Sequence, residues 1–285
     1  MIKLIECPRD AMQGIKEFIP TEKKAEYINQ LLQVGFDTID FGSFVSPKAI
    51  PQMKDTAELL GKLNLDNSKS KLLAIIANER GAEDACQFDE VTYLGFPFSV
   101  SETFQQRNTN SSIDESLKRV ESIQAICDKH EKQLVVYLSM AFGNPYGDEW
   151  TPDIVIKWSN ELYKRGIKTQ ALADTIGCST PENIKLLFSH LIPALKDVEF
   201  GAHLHSTKEQ AQEKITAAFE SGCLRFDSAI HGFGGCPMAA DSLTGNISTQ
   251  DIEFYLSANN IKHELNAEKL HQCYESSLQI FNNYH

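Results

Sequence analysis

Short apolar or β-branched stretches alternate along the chain with longer stretches in which apolar residues recur at a helical period. Eight of the short stretches predict β-strands. They cover residues 3–6, 37–41, 71–77, 90–95, 133–141, 169–174, 198–205 and 225–230. Because strand and helix alternate eight times, the pattern favours an α/β fold of the (β/α)8 TIM-barrel type over an open doubly wound sheet.

Several of the intervening helices have recognisable first residues. Thr-Pro pairs at positions 151–152 and 180–181 each offer an N-cap hydroxyl followed by proline at the first helical position. Ser112 and Glu115 have the spacing of a capping box, and residues 208–221 carry their apolar side chains on one face. Two more helical stretches, 249–259 and 267–282, follow the eighth strand, and we expect these C-terminal helices to close or cap the barrel.

Composition adds little to the fold prediction, but it bears on the number of domains and on where in the cell the protein is expected. The chain has 285 residues, 42% of them hydrophobic, and no proline-rich or low-complexity linker, so we predict one domain over residues 1–285. No apolar run approaches the roughly 20 residues that span a bilayer. The N-terminus turns polar after five residues, unlike a signal peptide. We therefore expect a cytoplasmic protein that does not contact membranes.

Charge and cysteine content exclude several classes of partner. A net charge of −12 disfavours nucleic acid and anionic membranes, because like charges repel over most of the surface. An anionic substrate would then require a local basic patch or a metal. Seven cysteines are dispersed without a C-x-x-C pair, which argues against a disulfide framework and a structural zinc site.

Polar residues fall at the ends of most predicted strands. In a TIM barrel the active site lies at the carboxyl ends of the strands, so side chains there are the candidates for chemistry. In chain order they are Arg9, Asp10, Asp40, Ser139, Asp174, Thr175, His203 and His205. We expect all of them to converge on one barrel mouth.

The pair His203 and His205 is the most informative of these features. Residues i and i+2 of a strand share a face, so both imidazoles would point to one place. Together with Asp10 they would leave coordination positions open for oxygen ligands, which favours Mg²⁺ or Mn²⁺, although such a site would also take Zn²⁺ in a crystal. The alternative is that both are hydrogen-bonded core histidines.

The glycine-rich run GFGGCPMAADSLTGN, residues 232–246, follows the eighth strand, where loops reach over a barrel mouth. Its glycines free the backbone to move or to approach a ligand closely. Cys236 inside the run is a free thiol that suits an acid, a base or a nucleophile. The alternative is a turn with an incidental cysteine.

A series of short segments carries a resemblance to a known family. The segments are PRDAMQ (8–13), SFVSPKAIPQM (43–53), SETF and RNTNSSIDES (101–116), GNPYG (143–147), ADTIG (173–177), HLH (203–205) and GFGGCP with TGN (232–246). Together they resemble the 3-hydroxy-3-methylglutaryl-CoA lyase family of DRE-TIM metallolyases. The resemblance spans residues 2 to about 256 and keeps the order of the segments. Each segment alone is weakly specific, but the combination is highly specific.

This resemblance implies a reaction and a set of roles. The reaction is retro-Claisen cleavage of a 3-hydroxyacyl-CoA, in the family's usual case to acetyl-CoA and acetoacetate. Asp10, His203, His205 and Asn246 would bind the divalent cation. Arg9 would polarise the thioester carbonyl as it becomes an enolate, and Cys236 would act as general acid. Asp10 and His203 both remain candidates for the base that accepts the hydroxyl proton.

The same resemblance supplies the expected partners and contacts. We expect a small-molecule acyl-CoA substrate and a homodimer. The residues expected to bind the substrate are Gln13, Asp40, Ser43, Asn108, Ser139, Asp174 and Thr175.

Several positions depart from the family pattern. Ala11 replaces the glycine that usually follows PRD, and Asp40 replaces a glutamate, one methylene longer, on the second strand. Ser206 replaces an aspartate, although its spacing to Glu209 would form a capping box. Residues 240–243 replace a more glycine-rich segment. Because these changes leave Arg9 and the expected metal ligands intact, they bear on the identity of the substrate more than on the type of reaction.

Three other interpretations remain open at this stage. An amidohydrolase also combines a barrel with an H-x-H pair, but it carries the pair on the first strand rather than the seventh. A related aldolase or condensing enzyme would act on another 3-hydroxyacyl-CoA or keto acid. A non-catalytic relative would bind acyl-CoA or metal without needing the arginine and the thiol together.

Overall fold

The strands of this computed structural model, which describes residues 1–235 and 244–284, close into a single parallel barrel. Each strand pairs with the next, and β1 pairs with both β2 and β8. The strands are β1 Lys3–Glu6, β2 Thr38–Ser43, β3 Lys71–Ile75, β4 Val91–Ser99, β5 Gln133–Ser139, β6 Thr169–Ala173, β7 Glu199–His203 and β8 Arg225–Ser228. The TIM-barrel prediction is therefore confirmed.

Helices surround the barrel between successive strands. They are α1 Pro8–Gln13, α2 Thr21–Leu31, α3 Thr56–Leu60, α4 Glu79–Ala85, α5 Glu102–Thr109, α6 Ile113–Lys129, α7 Pro152–Lys164, α8 Pro181–Ala194, α9 Ala211–Glu220, α10 Thr249–Ala258 and α11 Ala267–Phe281. The last two are the expected C-terminal helices. Helix α10 packs on α9 and α11 packs on α2, so they complete the outer ring between the last strand and the first.

The predicted helix starts are confirmed at three places. The Thr151 hydroxyl accepts from the backbone N–H of Ile154, with proline at the first helical position. Ser112 and Glu115 form a complete capping box at α6. At α8 the Thr180 hydroxyl accepts from the backbone N–H of Asn183, again with proline at the first helical position.

Some local predictions were wrong. Strands β3, β5, β7 and β8 each end two residues before their predicted ends, so His205 follows β7 instead of lying in it. Strand β4 continues to Ser99, four residues past the predicted end, with Pro97 accommodated in the ladder beside Tyr137. Ser206 caps no helix, because its hydroxyl donates to the Thr207 carbonyl and α9 begins only at Ala211.

The barrel interior is packed with side chains, so any site must lie at a mouth. An inner cluster fills its middle layers; it consists of Leu73, Ile75, Tyr93, Val135, Tyr137 and Ala171. A larger apolar cluster lies between the barrel and the helices. In the described ranges, 1–235 and 244–284, none of the helices combines the length and the hydropathy that crossing a membrane requires.

Candidate active site

A cavity of about 230 Å³ opens at the carboxyl ends of the strands. Its lining includes many of the residues singled out in the sequence: Arg9, Asp10, Gln13, Asn108, Ser139, Thr175, His203 and His205. The remaining wall is largely apolar and includes Val45, Ile50, Ile75 and Phe104. The cavity thus combines a cluster of charged groups with an apolar wall, which is typical of a small-molecule site.

Helix α1 positions the charged cluster directly after β1. Pro8 is its first residue, where a missing backbone N–H costs nothing. Within the helix, Arg9 Nη1 donates to Asp10 Oδ1 at 3.0 Å and to Gln13 Oε1 at 2.8 Å. Gln13 Nε2 in turn donates to Asp10 Oδ1 at 2.7 Å. The three side chains are therefore linked to one another by hydrogen bonds within the helix.

Asp40 on β2 holds the other edge of the Arg9 guanidinium. Arg9 Nη2 lies 2.5 Å and Nε 3.1 Å from Asp40 Oδ2. The ladder shifts register between Asp40 and Gly42, and a Cβ at Gly42 would lie 2.6 Å from the Thr56 methyl, so only glycine fits this bulge. The shorter carboxylate thus still makes a two-point contact with the arginine.

The carboxylates beside Arg9 differ in their electrostatics. Burial raises the pKa of Asp10, but the charges of Arg9 and the two histidines outweigh it and hold the pKa below its usual range. Burial raises the pKa of Asp40 to about 6 against the opposing effect of Arg9. Asp10 is therefore the ionised carboxylate that faces the cavity.

The two histidines line the same cavity and lie close to Asp10 of α1. His203 ends β7 and His205 follows it, with ring centroids 5.4 Å apart. One donor atom from each histidine and an Asp10 oxygen all lie within 4.8 Å of one another. Burial and the neighbouring His203 lower the pKa of His205 to about 4, so this imidazole is neutral. Its Nδ1 is buried without a hydrogen-bond partner among the described residues.

Asn246 lies beside this donor set. Its Nδ2 donates to Asp10 Oδ2 at 2.7 Å, and its backbone forms an antiparallel bridge with His205. Gly234, with φ +98°, packs so closely that a Cβ would lie 2.8 Å from the Asp10 carbonyl oxygen. The described ends of the glycine-rich run therefore contact the cavity floor.

Three of the expected substrate-binding residues do not line the cavity. Asp40 is covered by Arg9. The Ser43 hydroxyl donates to the Ile75 carbonyl at 3.3 Å and accepts from Val45 N–H. Asp174 accepts from the Ser179 hydroxyl at 2.5 Å. Their roles as substrate contacts remain predictions.

Lys214 was missed in the sequence analysis. Its Nζ donates to Asp174 Oδ2 at 3.1 Å and to the His205 carbonyl at 2.9 Å, so it ties the end of β6 to the second histidine. The available signal was a lysine within the apolar face of the helix predicted over residues 208–221. Thr175 accepts from the Met140 N–H at 2.9 Å and lines the cavity.

Cys236, the expected general acid, lies in residues 236–243, outside the described part of the chain. The altered segment 240–243 lies there as well. Both stay predictions from the sequence.

Comparison with known proteins gives consistent matches. A sequence model of the HMGL-like family matches residues 2–276. The rat protein "3-hydroxy-3-methylglutaryl-CoA lyase, cytoplasmic" is 33% identical over 259 residues, which cover 90% of this chain and 74% of the relative. A hydroxymethylglutaryl-CoA lyase of Bacillus subtilis is 33% identical over 263 residues, covering 92% of this chain and 87% of the relative.

Solved structures agree with the sequence matches. An HMG-CoA lyase from Acinetobacter baumannii, solved in complex with coenzyme A and 3-methylmalate, superimposes with a TM-score of 0.92 at 29% identity, covering 99% of this chain and 92% of that one. The HMG-CoA lyase of Pseudomonas aeruginosa gives a TM-score of 0.90 at 30% identity, covering 98% and 93%. With its family match extending over nearly the whole length, the chain belongs to the HMGL-like family of lyases.

Proposed function

We propose that this protein cleaves 3-hydroxy-3-methylglutaryl-CoA to acetyl-CoA and acetoacetate with the help of a bound divalent cation. One observation carries the proposal: Arg9 faces a cavity together with the donor set Asp10, His203 and His205. A fixed positive donor next to a cation site is the combination that a retro-Claisen cleavage needs. The relatives described above are named for this activity.

The residues present fit a divalent cation. The donor set offers one carboxylate and two imidazoles, and the Nδ1 of His205 is neutral and unpartnered among the described residues. Asn246 adds a carboxamide within contact of Asp10. Mg²⁺ or Mn²⁺ accepts such ligands and keeps positions open for substrate oxygens. When bound, the cation would lower the cost of deprotonating the tertiary hydroxyl of the substrate.

Arg9 stabilises the negative charge that develops on the thioester oxygen. Its Nε and Nη1 protons are committed to Asp40, Asp10 and Gln13, and Nη2 has a second proton for the substrate. Because these contacts fix the guanidinium before substrate arrives, no reorganisation is needed during the reaction. The guanidinium keeps its charge at any working pH.

Proton transfer requires a base for the tertiary hydroxyl and an acid for the enolate. Asp10, which its lowered pKa keeps ionised, and His203 both line the cavity and are the two candidates to accept the hydroxyl proton. We assign Cys236 as the acid that protonates the enolate carbon. Gly234 precedes the thiol by two residues and packs closely on the backbone of Asp10 at the cavity. This contact supports the assignment.

Cys236→Ser is expected to slow turnover by about 10²- to 10⁴-fold, the usual contribution of one acid or base. The affinity for Mn²⁺ should stay unchanged, since the thiol is not a proposed ligand. The measurement is kcat, together with Mn²⁺ binding. Cys178→Ser, which changes the exposed thiol among the described cysteines, is the matched control and should keep full activity. Full activity of Cys236→Ser would contradict the role as acid and favour the alternative of a turn with an incidental cysteine.

A second candidate is cleavage of a related 3-hydroxyacyl-CoA. It is favoured by Asp40 and by the altered segment 240–243, which depart from the family pattern. A panel of 3-hydroxyacyl-CoA thioesters with different substituents at carbon 3 separates the two. If kcat/KM is highest for 3-hydroxy-3-methylglutaryl-CoA, the result supports the first proposal. A higher kcat/KM for another thioester supports the second.

The proposal includes the homodimer implied by the family resemblance. Sedimentation velocity of the purified protein tests it, with a single species of twice the 31.9 kDa chain mass expected.

A further inference from the structure

Behind His203 the barrel interior holds two charged residues that the proposed chemistry does not use. Arg225 and Asp227 lie on β8, two residues apart, so both point inward. Both are buried; Asp227 is 3% exposed and Arg225 not at all. Charged side chains are almost never buried so fully unless they are paired, so these two require an explanation.

Asp227 contacts the first histidine directly. The two residues are register partners on β7 and β8, which places their side chains next to each other on the inner face of the barrel. His203 Nδ1 lies 3.1 Å from Asp227 Oδ2. The other ring nitrogen, Nε2, is thereby left for the donor set with Asp10 and His205.

Aromatic contacts hold the same imidazole from the sides. The Tyr137 ring meets it edge-on at 5.4 Å, and the His205 ring lies at the same centroid distance. The ring of His203 therefore has one hydrogen-bonded orientation. Within the described residues, the hydrogen bond that holds this ring comes from Asp227.

Arg225 supplies the compensating charge below Asp227. Gly201 makes room for it, since a Cβ there would lie 3.0 Å from Arg225 Cδ. Its Nη1 lies 3.5 Å from Glu199 Oε2, and its guanidinium faces the Tyr93 ring at 5.7 Å. The positive charge of Arg225 offsets part of the cost of burying a negative carboxylate inside the barrel.

Arg225 and Asp227 are not expected to contribute much to the free energy of folding. Asp227 Oδ1 and the Nε and Nη2 atoms of Arg225 are buried without hydrogen-bond partners among the described residues. The desolvation of buried charges with incomplete hydrogen bonding can cost more than their attraction returns. Folding stability therefore does not account for two charged residues beside His203.

We propose that Asp227 is a positioning residue for the cation site. It accepts the hydrogen bond from His203 Nδ1–H, which fixes the ring and directs the Nε2 lone pair toward the cation. Removal of such a carboxylate behind a ligating histidine typically weakens metal binding 10- to 100-fold. The proposal rests on the proposed function, in which Asp10, His203 and His205 hold the cation.

Asp227→Asn is the direct test. The variant keeps the shape of the side chain but loses the charge, and its amide can hold the imidazole in the wrong tautomer. We expect the Kd for Mn²⁺, measured by electron paramagnetic resonance of the free ion, to rise 10- to 100-fold. Asp55→Asn is the matched control, because Asp55 is a buried carboxylate paired with Lys24 outside the barrel. It should leave the Kd unchanged.

A measurement on the wild-type protein covers the case in which Asp227→Asn does not fold. The ¹⁵N spectrum of histidine-labelled, cation-free protein reports which ring nitrogen carries the proton. The His203 signals are assigned by their loss in His203→Gln. We expect the proton on Nδ1 and a bare Nε2.

Two results would overturn the proposal: an Asp227→Asn variant that binds Mn²⁺ as tightly as wild type, or a wild-type His203 protonated on Nε2 and bare on Nδ1. A wild-type protein that binds no Mn²⁺ would instead contradict the proposed function. In that case the tautomer still decides whether Asp227 orients His203.

Discussion

Arg9→Gln is expected to lower kcat by about 10³- to 10⁵-fold, the range found when an arginine that stabilises transition-state charge is removed. The substrate KM should change far less, because Arg9 acts on charge that develops only during carbon–carbon cleavage. Glutamine retains a hydrogen-bond donor but not the positive charge. Steady-state kinetics with 3-hydroxy-3-methylglutaryl-CoA and saturating Mn²⁺ measure both quantities.

Two controls separate this effect from damage to the fold. Asp40 would lose its charged partner in Arg9→Gln, and an unpaired buried carboxylate costs about 3–5 kcal/mol of stability. Thermal unfolding is therefore measured alongside activity. Arg119→Gln, which changes a partly buried arginine outside the site, should keep normal kinetics. A loss confined to KM would show that Arg9 binds the ground state rather than the transition state.

His205→Ala is expected to abolish tight cation binding, raising the Kd for Mn²⁺ at least about 100-fold, and to remove activity with it. His205 is the neutral imidazole of the donor set and has no competing hydrogen bond at Nδ1 among the described residues. Alanine removes the donor nitrogen and leaves only two of the three clustered ligands. Equilibrium dialysis with metal analysis measures the change.

The matched control is His190→Ala, which removes an exposed histidine on α8 and should leave metal content unchanged. Activity of His205→Ala should return only in part at high Mn²⁺, since binding is weakened rather than made impossible. A variant with wild-type metal content would remove His205 from the ligand set and favour its interpretation as a core histidine.

The fold was predictable because its signals are local. Apolar strands recur between amphipathic helices, and each helix start at Ser112, Thr151 and Thr180 is encoded within four residues. The closed barrel follows from eight repeats of one unit. Local signals failed where tertiary packing decides: β4 continues through Pro97 because its neighbours hold it in the ladder.

The candidate site was predictable to the extent that its residues lie at strand ends. Arg9, Asp10, His203 and His205 each follow or end a strand, and the barrel brings them together. Asp227 and Lys214 were not predicted, because their importance depends on contacts across elements. The first requires the register of β7 against β8, and the second requires α9 to pack below the end of β6.

The most direct test of the central claim is cleavage of 3-hydroxy-3-methylglutaryl-CoA by the purified protein. Acetyl-CoA and acetoacetate are both quantified, with Mn²⁺, with Mg²⁺ and after chelation. The account predicts equal amounts of the two products, formed only when a divalent cation is present, with activity restored by adding the cation back. Product formation that is unaffected by chelation, or none from a cation-loaded protein, would contradict it.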